Sequence, residues 1–156
     1  MAKNGKVDFS DLENFRKNIE KNLTGNQVDL FIESCAKELA ARLLAKVIKR
    51  TPVGQYPNSS GKKGGTLRRG WTNGQNQAAS AYASGLNVNH FGNVYVIEII
   101  NPVEYASYVE FGHRTRNHEG WVEGKFMLTI SEQEIESDAP RILENKLKKK
   151  LGECFR

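Results

Sequence analysis

The residues that invite a chemical reading are few. Three histidines are present, His90, His113 and His118. The last two share one polar stretch with Glu110 and Glu119, the imidazole and carboxylate donors that divalent metals take. Their spacing matches no common zinc arrangement, and Cys35 and Cys154 lie far off in sequence, so the stretch reads as a solvated loop with no metal. Gly61-Lys62-Lys63-Gly64-Gly65-Thr66 has the composition of a phosphate-cradling loop, with glycines to free the amides and lysines to meet charge. That motif needs a first glycine at fixed spacing and a strand leading into the loop. Here Gly54 is too distant and a helix comes before. No paired nucleophile and base and no glycosidase carboxylate pair stands out. The expectation is no catalytic residue, no cofactor and no enzyme.

Charge is more telling. The formal net charge is +5, and no acidic residue occurs from Leu39 to Ile97. That stretch carries Arg42, Lys46, Lys49, Arg50, Lys62, Lys63, Arg68 and Arg69. Such a block suits an anionic partner, either nucleic acid or an acidic protein surface. Arg42 to Arg50 fall in the last turns of a helix, where the negative end of its dipole accounts for part of the bias. Lys62, Lys63, Arg68 and Arg69 on a glycine-rich loop are placed to clasp phosphates, with Tyr56 or Trp71 to stack on bases. No helix-turn-helix, zinc finger or RNA-binding signature accompanies them. The alternative function is therefore a stand-alone, non-specific nucleic-acid-binding protein, although Trp71 suits a core or an interface better than a stacking platform.

Those residues need a frame. A chain of 156 residues, 38% hydrophobic and 26% charged, fits one globular domain across 1–156. No internal repeat or domain boundary interrupts it. The N-terminus shows no apolar run behind its lysines, and no stretch approaches the roughly 20 apolar residues of a membrane span. The expectation is a product made in the cytoplasm, with two unpaired thiols and no membrane partner.

Ser10-Asp11-Leu12-Glu13 has the capping-box form and predicts a helix to about Leu23, with Leu12, Phe15, Ile19 and Leu23 on one face. Thr24-Gly25-Asn26 breaks it. Asn26 then caps a long helix bearing Val28, Phe31, Ile32, Cys35, Leu39, Leu43, Val47 and Ile48, stopped by Thr51-Pro52. About 24 residues make a rod of roughly 36 Å. Thr51 to Gly74 is rich in glycine and polar residues and reads as a loop opening into a strand, Leu67 to Thr72. Ala78 to His90 reads as a second strand. His90 to Asn93 turns into Val94–Ile100, the clearest strand, apolar on both faces and so expected to be covered on each by helices or a neighbouring subunit. Asn101-Pro102 opens a short helix closed by Gly112, with Tyr105, Tyr108 and Val109 as its packing face. Phe126–Ile130 fits strand or helix. Asp138 with Pro140 caps a last helix carrying Ile142, Leu143, Leu147 and Leu151. The fold class is α+β, an antiparallel β-sheet flanked by a long N-terminal helix and C-terminal helices.

Two blocks add a family. Thr51-Pro52-Val53 with Gly65-Thr66-Leu67-Arg68 is the first. Asn101 with Tyr105-Ala106-Ser107-Tyr108-Val109-Glu110-Phe111-Gly112, followed by Trp121-Val122-Glu123-Gly124-Lys125-Phe126-Met127, is the second. Together they resemble the gene-product-ten-like family of tailed-phage neck and tail-completion proteins. The link after Val53 is expanded here by Gly54–Gly64, and Gly70 stands where the family places a serine. The resemblance implies a structural virion protein of a tailed phage or of a phage-tail-like particle, assembled in the host cytoplasm as a homo-oligomeric ring, a hexamer, at the head-proximal end of the tail. Such a ring ends the tail tube (tail terminator) and joins it to the head connector (head–tail joining). It implies a tail-tube protein and neck proteins as partners, with DNA passing through the channel. The face bearing Tyr105 and Tyr108 is too aromatic for a solvated surface, so Tyr105, Tyr108, Val109, Glu110, Phe111 and Trp121 are expected at a subunit or partner contact. Lys62, Lys63, Arg68 and Arg69 then face the channel or a partner. Residues 1–25 form a helical arm and 54–65 a flexible loop.

Overall fold

The computed structural model describes Lys17 and residues 20–153. The helix expected from Ser10 lies outside the described residues except for its last turn. Residues 20–22 are helical and 23–24 form a bend. Cys154 also lies outside them.

The principal element is α1, Gly25–Arg50, 26 residues long, or about 39 Å. It starts two residues earlier than expected, after Thr24, and stops at Thr51 as the following proline requires. Its buried residues are Cys35, Ala40, Leu44 and Val47, while Leu39 and Leu43 are half-buried. The stripe is turned from the one expected because α1 is covered on two sides. One cover is α3, Ala79–Ser84; the other is α5, Met127–Glu153. Ala40 and Ala83 share one core with Leu44, Val47, Leu67, Trp71 and Met127. Small side chains here allow close approach.

Two expected strands are helices. Leu67–Thr72 belongs to α2, Thr66–Gly70, and the turn after it. Leu67 and Trp71 are four residues apart and share a helical face, 5% and 4% exposed, whereas Arg69 points to solvent. The alternation was too short to distinguish the two periods. Within Ala78–His90 the alanine-rich part forms α3, as its helix propensity favours, and only Asn89–Phe91 is extended, as β1.

β1 pairs antiparallel with β2, Val94–Val96, across a Gly92-Asn93 turn. Residues 97–100 continue without a ladder partner. The clearest strand is thus the second arm of a hairpin and not the centre of a sheet. Ile97 and Ile99 pack on the core, but Val94 and Ile100 are 58% and 63% exposed. One apolar face is uncovered within the chain.

The helix expected from Asn101 begins later, as α4, Ala106–Phe111. Asn101 instead bridges segments: its amide donates to the Leu67 carbonyl at 2.8 Å, and its Oδ1 accepts from the Val103 amide at 3.2 Å. Gly70 permits this, since a Cβ there would collide with Asn101 Oδ1 and come within 2.9 Å of Val103. A second hairpin follows, β3 (Gly112–Arg114) with β4 (Trp121–Glu123). The described residues therefore hold an α+β fold whose antiparallel pairing is split between two two-stranded hairpins. Phe126–Ile130 resolves as helix, the start of α5. Pro140 caps nothing and sits inside α5. The bond it forfeits is at an exposed position, with Glu136 and Pro140 both on the surface, where water can take the freed carbonyl.

Cross-helix polar contacts fix α5 along α1. Glu134 accepts from Lys46 at 2.9 Å and from Arg50 at 2.6 Å. Arg50 also donates to Ser131, and Lys146 donates to Glu38 at 2.8 Å. Much of the basic block on α1 is thus answered by carboxylates on α5 and by Glu38, which also pairs with Arg42. The Lys146 ammonium holds the Glu38 carboxyl below its ordinary range, and Lys46 and Arg50 do the same to Glu134. Burial pushes the free thiol of Cys35 up, which leaves it protonated and inert.

Candidate interface

Thr51, the first residue of the first block, is fully buried and works as a junction. Its hydroxyl donates to the Val47 carbonyl at 2.6 Å and accepts from the Trp71 indole at 2.8 Å. Its carbonyl accepts two bonds from the Arg68 guanidinium, at 3.1 and 2.7 Å. The end of α1 is thereby joined to α2. From this junction the chain runs outward through Pro52 and Val53 and returns at Gly64, which lies against the Gly54 carbonyl so closely that a Cβ would overlap it.

Between those two strands of loop and the start of α4 lies a cleft of about 250 Å³. Its walls are Pro52, Val53, Tyr56, Leu67, Tyr105 and Val109, with Lys63 at the edge. The two sequence blocks meet here, although about forty residues separate them.

The second block locks its own backbone. Glu110 is 5% exposed. Its carboxylate accepts from the Leu128 amide at 2.9 Å, the Thr129 amide at 2.9 Å and the Thr129 hydroxyl at 2.7 Å. It caps the N-terminus of α5, whose own first residues offer no Ser, Asp or Asn at the capping position. That missing local cap was the signal for this role. Glu110 therefore lies beneath the surface on which it was expected, and its charge is used within the chain. Gly112, at φ 84°, and Gly124 stand backbone to backbone: a Cβ on Gly112 would lie 2.8 Å from the Gly124 nitrogen. Lys125 and Phe126 amides then bond the Val109 and Glu110 carbonyls at 2.8 and 3.0 Å.

On the outside of this locked unit the aromatic residues are bare. Tyr105 is 45% exposed, Tyr108 60%, Phe111 61% and Trp121 55%. Val109 alone of the proposed contact set is half-buried, packed on the core. Tyr108 meets the edge of the His113 ring, with centroids 5.9 Å apart.

The basic quartet is divided. Arg68 is turned inward to the Thr51 carbonyl. Arg69 reaches the Gly64 carbonyl at 3.4 Å, Lys62 lies 5.9 Å above the Tyr56 ring, and Lys63 edges the cleft. Trp71 is in the core, as its sequence context suggested. Of the histidine stretch, His113 lies in β3 and His118 and Glu119 in the β3–β4 turn, and no group of three or more metal-ligating side chains occurs among the described residues.

The Glu110-capped start of α5 thus lies beneath exposed aromatic side chains. A family model described as "Bacteriophage HK97-gp10, putative tail-component" matches residues 13–112, well over half of the sequence. The chain belongs to this family. It is a structural component of a phage tail by that membership, belonging to the virion and in contact with other tail or head proteins. The match takes in the Thr51 block and Tyr105–Gly112 and stops before Trp121. No curated protein and no solved structure matches the chain. No helix among the described residues is long and apolar enough to cross a membrane.

Proposed function

We propose that the protein forms a hexameric ring at the head-proximal end of the tail, ends the tail tube there and joins it to the head connector. The observation that carries this reading is the exposed aromatic face of α4 and the second hairpin. Tyr105, Tyr108, Phe111 and Trp121 together form an apolar surface of the kind a lone soluble chain rarely keeps open. Aromatic residues of this type anchor subunit contacts. Val109 supports them from below. Lys62, Lys63 and Arg69 face the channel or an acidic neighbouring ring, with Arg68 bracing the loop that bears them. DNA passing through would meet them without sequence preference.

Tyr108→Asp tests the assignment. The side chain is largely in solvent, so the isolated chain should melt as the wild type does. Incorporation into tails, followed by electron microscopy and by mass analysis of purified particles, should be lost. Normal incorporation, or failure of the variant to fold, would remove Tyr108 from the interface.

A further inference from the structure

The chain carries a protruding apolar feature and a concave one at opposite ends of α1. The protrusion is the β1–β2 hairpin, where Phe91 and Val94 are 66% and 58% exposed. It is tied to the first part of α1 by His90 Nε2 against the Glu33 carboxylate at 2.9 Å, and by the Tyr95 hydroxyl donating to Asp29 at 2.8 Å. The concavity is the cleft beside Thr51, of about 250 Å³. Between Glu33 and Thr51 the helix rises about 27 Å, so the hairpin cannot fill the cleft of its own chain.

The two are matched in size and charge. An apolar cavity of roughly 150 Å³ is enough to hold a benzene ring, so the cleft has room for one phenyl group. Beside the hairpin lie the α1 acids Asp29 and Glu33, in contact with Tyr95 and His90, while the cleft is lined by Lys63 and by no acidic residue. We propose that Phe91 of one copy inserts into this cleft on a second copy, between Tyr56 and Tyr105. The inference rests on the ring reading and deepens it. The contact joins two different patches, hence is heterologous, and repeated head-to-tail contacts close into a ring when the rotation permits. Tyr105 belongs to both the cleft and the aromatic face, so the contact is continuous with the interface proposed above.

Photocrosslinking in assembled tails tests it. Benzoylphenylalanine is placed at Phe91, at Tyr108, or at the exposed Leu147 as a control, and cross-links are mapped by mass spectrometry. A thermal melt checks that each probe leaves the chain folded. The expected result is a covalent dimer from position 91, at twice the chain mass, joined to Val53, Tyr56 or Tyr105 of the second copy. Lys63→Glu should lower its yield. Cross-links from 91 that fall elsewhere on a second copy, or only on another tail protein, overturn the Phe91 contact. If position 108 still yields dimers in that case, the ring reading survives. Absence of dimers from both 91 and 108 overturns both.

Discussion

Replacing Glu110 with alanine is the sharpest test of the scaffold beneath the aromatic face. The carboxylate serves two backbone amides and one hydroxyl at the start of α5, and it is nearly inaccessible to water. Losing a capping acceptor costs about 1 kcal/mol, and up to about 2 kcal/mol in well-buried cases. The negative charge at a helix N-terminus overlaps with that term and raises it within the same range. Leaving buried donors without partners adds about 1 kcal/mol. The sum is a loss of roughly 2–3 kcal/mol for Glu110→Ala, large against the ~5–15 kcal/mol of a typical domain. Glu110→Gln keeps one acceptor oxygen but turns an NH2 toward donors, so it should lose about half as much. Urea unfolding followed by tryptophan fluorescence is suitable, because Trp71 is buried in the core. Hydrogen exchange supplies the local readout. Leu128 and Thr129 amides should lose protection, while the middle of α5, held by Glu134 and Lys146, keeps it. A loss below about 0.5 kcal/mol, in the range of ordinary surface changes, with unchanged protection at 128 and 129, would refute the capping role and return Glu110 to the interface set.

Other expectations follow from the same geometry. Residues 54–65 are exposed almost throughout and bury too little apolar area to offset their ordering, so limited proteolysis should cut there first in free protein. The assembled particle should protect the segment, and equal cleavage in both states would contradict a partner-bound loop. Glu38 and Glu134 have lowered carboxyl values from their Lys and Arg partners. Their contribution is thus complete above the ordinary glutamate range, about 4.3, and fades as pH falls through the lowered folded values. Glu134→Gln should melt below wild type at neutral pH, with the gap closing in acid; a gap independent of pH would contradict the linkage. Lys62→Glu with Lys63→Glu should leave a folded chain. Tails that form but fail to join heads would point to a partner ring, and joined particles that leak DNA to the channel, whereas fully normal particles would show the charge to be solvated.

The sequence made α1, its proline stop, the helix end at Gly112 and the polar turn after it readable, because each is decided within a few residues by periodicity, φ or a missing N–H. It misled where the decision was tertiary. Leu67–Trp71 alternates over five residues, and only the demand that Leu67 and Trp71 both enter the core with Leu44 and Val47 of α1 makes it a helical turn. Val94–Ile100 is apolar on both faces, which suggested a central strand covered on each side, but its pairing is local and one face stays open within the chain. Pro140 looked like a helix start because nothing in the string says that α5 already lies along α1 through Ser131 and Glu134. The candidate site was legible as a family string and not as a surface. Tyr105, Tyr108, Phe111 and Trp121 are exposed together, whereas Glu110 and Arg68 from the same blocks face inward to hold backbone.

That division explains how one short string can carry both stability and assembly. On the proposed ring reading, the open parts of Tyr108, Phe111 and Trp121 are each worth about 3 kcal/mol when buried, taking roughly 200 Å² per aromatic side chain and about 25 cal/mol per Å². Bringing two chains together costs an estimated 4–15 kcal/mol in lost freedom and ordering. One such face is therefore near break-even for an isolated pair. In a closed ring every copy uses both of its patches, and the last contact forms without a further loss of translational freedom. A tail end that presents several docking positions at once shifts the balance the same way. The chain is then expected to stay monomeric in dilute solution and to close only on its template. The inward-facing Glu110, Gly112 and Gly124 make this possible, since they hold the aromatic face rigid before any partner arrives and so lower the ordering cost of each contact.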